Sequence, residues 1–190
     1  MTDSVLTPVD RLYEEAAALI RFVHGTAELS LEVAAADNLR KGLLLGAASY
    51  FEKRVCETVL QFVRESANGS RLVEEFVRNT AIARQYYRWF SWDASNANSF
   101  FGLFGDEFRA QMTERVNGSE ELGEAIKAFL EIGSERNKLV HQDYATFPLE
   151  KTLEEIYALY RRAVSFVDSL PTALRGYDSA AKATAEEGQP

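Results

Sequence analysis

Residues 43–62, "LLLGAASYFEKRVCETVLQF", decide the fold class. Leu44, Ala48, Phe51, Val55, Val59 and Phe62 follow one another at intervals of 4, 3, 4, 4 and 3, the repeat that gathers side chains on one face of an α-helix. A half-buried strand needs an interval of two. Carried outward to the nearest turn signals, the stretch predicts a helix from about Ala27 to Ser66. That is far beyond the usual length of about 11–12 residues, and an element so long serves as a scaffold.

The same periodicity recurs on both sides. A first helix is expected to open at Pro8, whose missing N–H has no partner in a first turn anyway, and to stop before Gly25. "ANGS" at 67–70 breaks the second helix, and Ser70 is placed to cap a third running to about Phe90. "SWDASNANSFFGLFGDE" reads as a loop with a short helical turn, followed by a short helix over Asp106–Val116. The next helix opens at Ser119 and lines up Leu122, Ala125, Ile126, Phe129, Ile132 and Val140. Pro148 is expected to open the last one, in which Leu149, Leu153, Ile156, Tyr160, Val164 and Val167 again step by 4, 3, 4, 4 and 3, and Pro171 to end it. From Tyr177 periodicity is lost. The expectation is an all-α bundle of long antiparallel helices with short accessory helices, forming one domain over residues 1–176, with a disordered acidic tail at 177–190.

Composition narrows the function classes. In 190 residues there is one cysteine, so no intrachain disulfide framework exists and a reducing, cytoplasmic setting fits. The N-terminus carries acids where a signal peptide needs positive charge, and no apolar run approaches the roughly 18 residues of a membrane span. A soluble protein is expected. The net charge is −8, but residues 1–37 hold seven acids and two bases and residues 176–190 hold three acids and one base. The remaining 38–175 has 19 acids against 18 bases, which disfavours extended DNA binding and leaves room for a small RNA site. Two distant histidines and one cysteine supply no recognisable metal set, and no cofactor motif is visible.

Against this background "GSERNKLVHQDY", residues 133–144, interrupts an apolar stripe with polar groups. At about 100° per residue Arg136 falls within about 40° of Phe129 and Val140, inside the stripe, where a guanidinium is costly unless an anion meets it. Asn137 and His141 are four residues apart on one face, so the amide can bond the imidazole or position the same ligand. Arg136 and His141 are about 140° apart, so one helix does not aim both at one small target, whereas two copies meeting across a two-fold axis could. Arginine holds phosphate bidentately, and histidine, with an unperturbed pKa of about 6.5, moves protons near neutrality. Those groups suit attack of an RNA 2′-hydroxyl on its neighbouring phosphodiester without a metal. The plain alternative is a capped helix end with basic groups placed favourably near its C-terminus.

"RNKLVH" on the penultimate long helix, followed by a final amphipathic one, resembles the HEPN superfamily and its R-(N/H/D)-x-x-x-H signature. The apolar second helix with a polar Glu52 looks like the RiboL-PSP HEPN branch. The resemblance, over roughly residues 27–170, implies a homodimeric, metal-independent endoribonuclease with RNA as substrate. It further implies a setting in toxin–antitoxin or antiviral defence, with an antitoxin or defence protein as partner. By position it implies that Arg136 and His141 are catalytic with Asn137 beside them, and that Glu52, Lys138 and Tyr144 support, Glu52 by orienting Arg136. One departure stands out. HEPN toxins silenced by nucleotidyltransferase antitoxins often carry a tyrosine two residues after the histidine, whereas Tyr144 is three after His141, which argues against control by tyrosine adenylylation. A non-catalytic HEPN module binding RNA or a partner protein is the alternative.

Two further stretches invite chemistry. "RQYYRWFSW", residues 84–92, reads either as a base-stacking surface or as aromatics filling the core or a dimer seam, with the second favoured because such rings bury large areas. Cys56 reads as a buried helix cysteine rather than a reactive thiol.

Overall fold

The computed structural model describes residues 6–26 and 28–187, with side chains to residue 180. Eight α-helices and two short tighter or wider turns make up the described chain, which contains no strand. The long elements are α1 (Pro8–His24), α2 (Leu29–Ser66), α7 (Glu120–His141) and α8 (Leu153–Glu187). The short ones are α3 (Arg71–Val77), α4 (Tyr86–Trp89), α5 (Asn98–Phe101) and α6 (Asp106–Asn117). The all-α expectation holds, and α2 covers the stretch that decided it. The start expected at Ala27 lies outside the described residues.

Local chemistry explains the helix starts. Thr7 and Asp10 cap α1 reciprocally: the Thr7 amide donates to the Asp10 carboxylate at 2.7 Å and the Asp10 amide donates to the Thr7 hydroxyl at 3.1 Å. Ser119 accepts from the Leu122 amide at the head of α7. At α8 the expected start was wrong. Pro148 lies in the connection, and Thr152 with Glu155 forms the capping box, Glu155 accepting from the Thr152 amide at 2.7 Å and donating its own amide to the Thr152 hydroxyl at 3.1 Å.

The core is the seam of α2, α7 and α8. Phe51, Phe129, Tyr160 and Phe166 pack together there, with ring centroids of Phe51 5.6 Å from Phe129 and 5.3 Å from Tyr160, and Phe129 5.2 Å from Phe166. Cross-links give the directions. Lys41 meets Tyr144 and Phe51 meets Phe129, so α2 and α7 are antiparallel. Lys151 pairs with Glu131 and Arg162 with Glu124, so α7 and α8 are antiparallel too. Arg54 pairs with Asp168 and Arg175 with Glu65, so α2 and α8 run parallel. The buried carboxylate of Asp10 accepts from the Tyr157 hydroxyl at 2.9 Å and pairs with Arg161, fastening α1 to α8.

Two further expectations fail for tertiary reasons. The third helix does not reach Phe90. After α3 the chain widens into a π-helical turn at Arg78–Ile82, and Arg84 takes a left-handed φ of 61° before α4 begins. The aromatics drive this: Tyr86, Trp89 and Phe90 are buried, and the Trp89 indole donates to the Ala81 carbonyl at 3.2 Å across the break. Nor does Pro171 end α8, which continues through it to Glu187 over a stretch expected to be irregular from Tyr177. Beyond the proline Ala173 and Leu174 remain buried, Arg175 forks onto Glu65 at 2.7 and 2.9 Å, and Tyr177 stacks edgewise on Phe108. Those contacts outweigh the one backbone bond a helical proline removes. Among the described residues no helix is long and apolar enough to cross a membrane.

Candidate functional site

The last turns of α7 carry Arg136, Asn137, Lys138 and His141. Gly133, one turn earlier, abuts the Trp92 ring, where a Cβ would overlap Cε3 and Cζ3 and leave no room for a side chain. Trp92 is fixed in turn by donating its indole N–H to the Tyr87 carbonyl at 2.9 Å. The irregular segment 78–92 is thereby pulled against α7 just where Arg136 emerges.

Arg136 is half-buried. Its guanidinium carbon lies 4.0 Å from the centre of the Tyr87 ring, and Nη1 donates to Asn137 Oδ1 at 3.2 Å. Among the described residues it makes no other hydrogen bond and no ion pair, leaving four of the five N–H donors of a guanidinium unclaimed by protein. Glu52 does not pair with it directly. The Tyr87 hydroxyl donates to Glu52 Oε2 at 2.7 Å, so Tyr87 stands between the carboxylate and the guanidinium. Burial, and then this bond to Glu52, push the Tyr87 phenol well above its ordinary pKa, so it stays protonated and remains the donor.

The other expected residues divide. Asn137 turns its amide oxygen to Arg136, and no Asn137–His141 bond forms among the described residues. His141 ends α7 exposed to solvent. Lys138 is exposed and pairs with Glu135 at 2.8 Å on its own helix, which raises its pKa. Tyr144 is 41% exposed, and its backbone carbonyl accepts from Lys41 Nζ at 2.9 Å while Nζ lies 5.2 Å from its ring centre. Lys41, only 1% exposed, also pairs with Asp37 at 2.7 Å and pins the loop that follows His141.

Sequence reasoning missed Tyr87 and Lys41. Lys41 left a signal, since it precedes Leu44 by three residues and Ala48 by seven and so continues the apolar stripe of α2. Tyr87 left none, because nothing local separates it from the core aromatics around it. The packed reading of "RQYYRWFSW" holds: Tyr86, Trp89 and Phe90 are buried. Cys56 is partly buried, and burial followed by Glu52 and Glu57 pushes its thiol up to about 11, which leaves it inert near neutrality. No group of three or more His, Cys, Asp or Glu side chains converges among the described residues.

Chemically, the arrangement offers a cation packed on an aromatic ring with most of its N–H donors free, and an exposed imidazole at the end of the same helix. The first can take an oxyanion bidentately and the second can exchange protons with solvent or ligand. Fold and motif together define a helical module of the HEPN superfamily. The RiboL-PSP-HEPN family model matches residues 10–175, and the chain belongs to that family. No curated protein and no solved structure matches it. Membership points to an RNase-type or RNA-binding module.

Proposed function

We propose that the protein is a metal-independent endoribonuclease acting as a homodimer, with Arg136 and His141 catalytic and Asn137 holding Arg136. The observation that carries this is the state of Arg136: half-buried, unpaired with any carboxylate among the described residues, and braced so that its edges stay open. A partly desolvated guanidinium without an anion is costly, and a phosphodiester supplies the missing one. The 2′-hydroxyl attacks phosphorus, the new O2′–P bond forms and the P–O5′ bond breaks. The 2′ proton leaves to an imidazole, the departing 5′ oxygen takes up a proton, and a 2′,3′-cyclic phosphate and a 5′-hydroxyl result. Two copies are required because Arg136 and His141 point about 140° apart on one helix. Exposed Val140 and Tyr144 beside His141 give that helix end apolar surface for an isologous contact. Family membership supports placing the enzyme in the cytoplasm within a toxin–antitoxin or antiviral system.

The test is cleavage of several RNA pools in EDTA by the wild type, Arg136→Ala and His141→Ala. Cyclic-phosphate products from the wild type alone are expected. RNA binding without cleavage, unchanged in both variants, would instead establish a non-catalytic RNA-binding module, a reading that the acidic charge of −8 favours only if contacts with RNA are few.

A further inference from the structure

We propose that Tyr87 is a positioning residue that holds the Arg136 guanidinium by its face, with Glu52 acting on Arg136 only through it. This rests on the ribonuclease reading for its effect on rate, but not for the geometry it asserts.

A carboxylate can hold arginine in two ways. Paired edge to edge, Glu52 would take up the same parallel N–H donors that a phosphate needs, and substrate would have to displace it. In this chain the phenol is interposed instead. The guanidinium carbon lies over its ring, 4.0 Å from the ring centre, a cation–π attraction that brings no hydrogen-bond acceptor to the N–H donors. Its hydroxyl claims Glu52 Oε2 at 2.7 Å, so that oxygen is engaged before it can reach Arg136. The ring itself has little freedom. Tyr86 stands edgewise to it at 5.2 Å, Trp92 lies 6.1 Å away, and the Tyr87 carbonyl accepts the Trp92 indole N–H at 2.9 Å.

The backbone is shaped to the same end. The left-handed Arg84 and the π-helical turn before it set the register of α4, so that Tyr86 enters the core while Tyr87, the next residue, faces Arg136. A non-glycine residue at positive φ is uncommon and persists where surrounding contacts hold it. Asn137 completes the arrangement by taking one N–H at 3.2 Å and leaving four.

Two substitutions separate the parts. Tyr87→Phe keeps the ring and frees Glu52, and Tyr87→Leu removes the ring at similar bulk. Arginine side-chain spectra, with the Arg136 signals identified by their loss in Arg136→Lys, read the geometry without any reaction. A ring-current upfield shift is expected in the wild type and Tyr87→Phe, and its loss in Tyr87→Leu. In the RNA cleavage assay Tyr87→Leu should lower kcat by about 2- to 30-fold, the range that a cation–π contact of about 0.5–2 kcal/mol represents, with KM changed much less. Tyr87→Phe should recover most of that loss in kcat, while its KM rises because the freed Glu52 can compete with phosphate for the Arg136 N–H donors.

Unshifted Arg136 signals in the wild type would overturn the proposal. So would a Tyr87→Leu enzyme with wild-type kcat, or a Tyr87→Phe enzyme as slow as Tyr87→Leu. A wild type that shows the upfield shift, loses it in Tyr87→Leu and yet cleaves no RNA would support the positioning while defeating the ribonuclease reading.

Discussion

Gly133→Ala places a single methyl group where the fold has the least room for one. A Cβ built on Gly133 overlaps Cε3 and Cζ3 of the Trp92 ring and lies 3.0 Å from Cδ2. Carbon atoms pack best at about 3.5–4.0 Å, so the indole must retreat by more than an ångström. It has nowhere soft to go, since its ring lies 5.1 Å from Phe90, 5.7 Å from Tyr86 and 5.8 Å from Phe129. Three terms decide the outcome. Alanine in a helix interior gains about 1 kcal/mol over glycine. Overpacking costs about 1–3 kcal/mol. Loss of the bond from the Trp92 indole to the Tyr87 carbonyl costs about 1 kcal/mol more. The net is a destabilisation of about 1–3 kcal/mol, measured by urea unfolding with tryptophan fluorescence as the probe. Gly42→Ala is the control. No atom lies within 4 Å of its added methyl group, so only the helix gain of about 1 kcal/mol should appear. The sharpest check is the Trp92→Leu background, where the clash is gone and Gly133→Ala should become neutral or stabilising. If it costs as much there as in the wild type, the reasoning from Trp92 is wrong.

Lys41→Met leaves the Tyr144 carbonyl and Asp37 without their buried cation, and should cost about 1.5–3 kcal/mol, with amide exchange rising most over residues 142–147. Exchange that rises equally along α2 and α7 would refute a local latch. Acid should weaken the fold through Asp10. Burial alone would raise its pKa, but the Thr7 amide, the Tyr157 and Thr7 hydroxyls and Arg161 together hold it below the ordinary value. With the folded pKa depressed, the stabilisation is present above the unfolded value of about 3.9 and is lost as pH falls through the folded one. Urea midpoints at pH 5 and pH 3 should therefore differ less in Asp10→Asn than in the wild type, and equal differences would exclude this carboxylate as the cause. Glu65 and Glu74, pushed down to about 2 by hydrogen bonds from Arg175 and Arg64, should keep those partners at pH 3.

Helix identity was legible where one apolar stripe carried a helix, as in α2 and α7, because spacing determines which face is buried; only at the end of α7 does the stripe shift, Val140 being exposed and Leu139 buried in its place. Boundaries were legible only where one signal acted. At α8 two competed: Pro148 suited a first turn, yet the T-x-x-E pair of Thr152 and Glu155, equally visible in the sequence, supplied the actual cap. At Pro171 the proline signals a stop, but burial of Ala173 and Leu174 and the Arg175–Glu65 fork carry the helix past it. The break after α3 could not have been read locally, since it follows from aromatic rings being drawn into a core built by α2, α7 and α8. The site divides in the same way. Arg136, Asn137 and His141 were found through spacing and resemblance, while the brace on Arg136 arrives from 49 residues upstream, where no local pattern marks it.

The length of α2 bears on how this site could tolerate change over evolution. Lys41, which secures the loop after His141, and Glu52, which secures Tyr87 beside Arg136, are both on this one helix. They are eleven residues apart, which is about 16 Å along the axis and three turns to within about 20°. Both halves of the site are thus gauged by a single rod, and drift in the surrounding short helices leaves their separation alone. Inserting one residue between positions 41 and 52 would swing one anchor by about 100° relative to the other and disconnect the two halves without touching either. Length variation among relatives should therefore collect in segments such as 67–70, away from the Lys41 anchor on Tyr144, and be missing from this span.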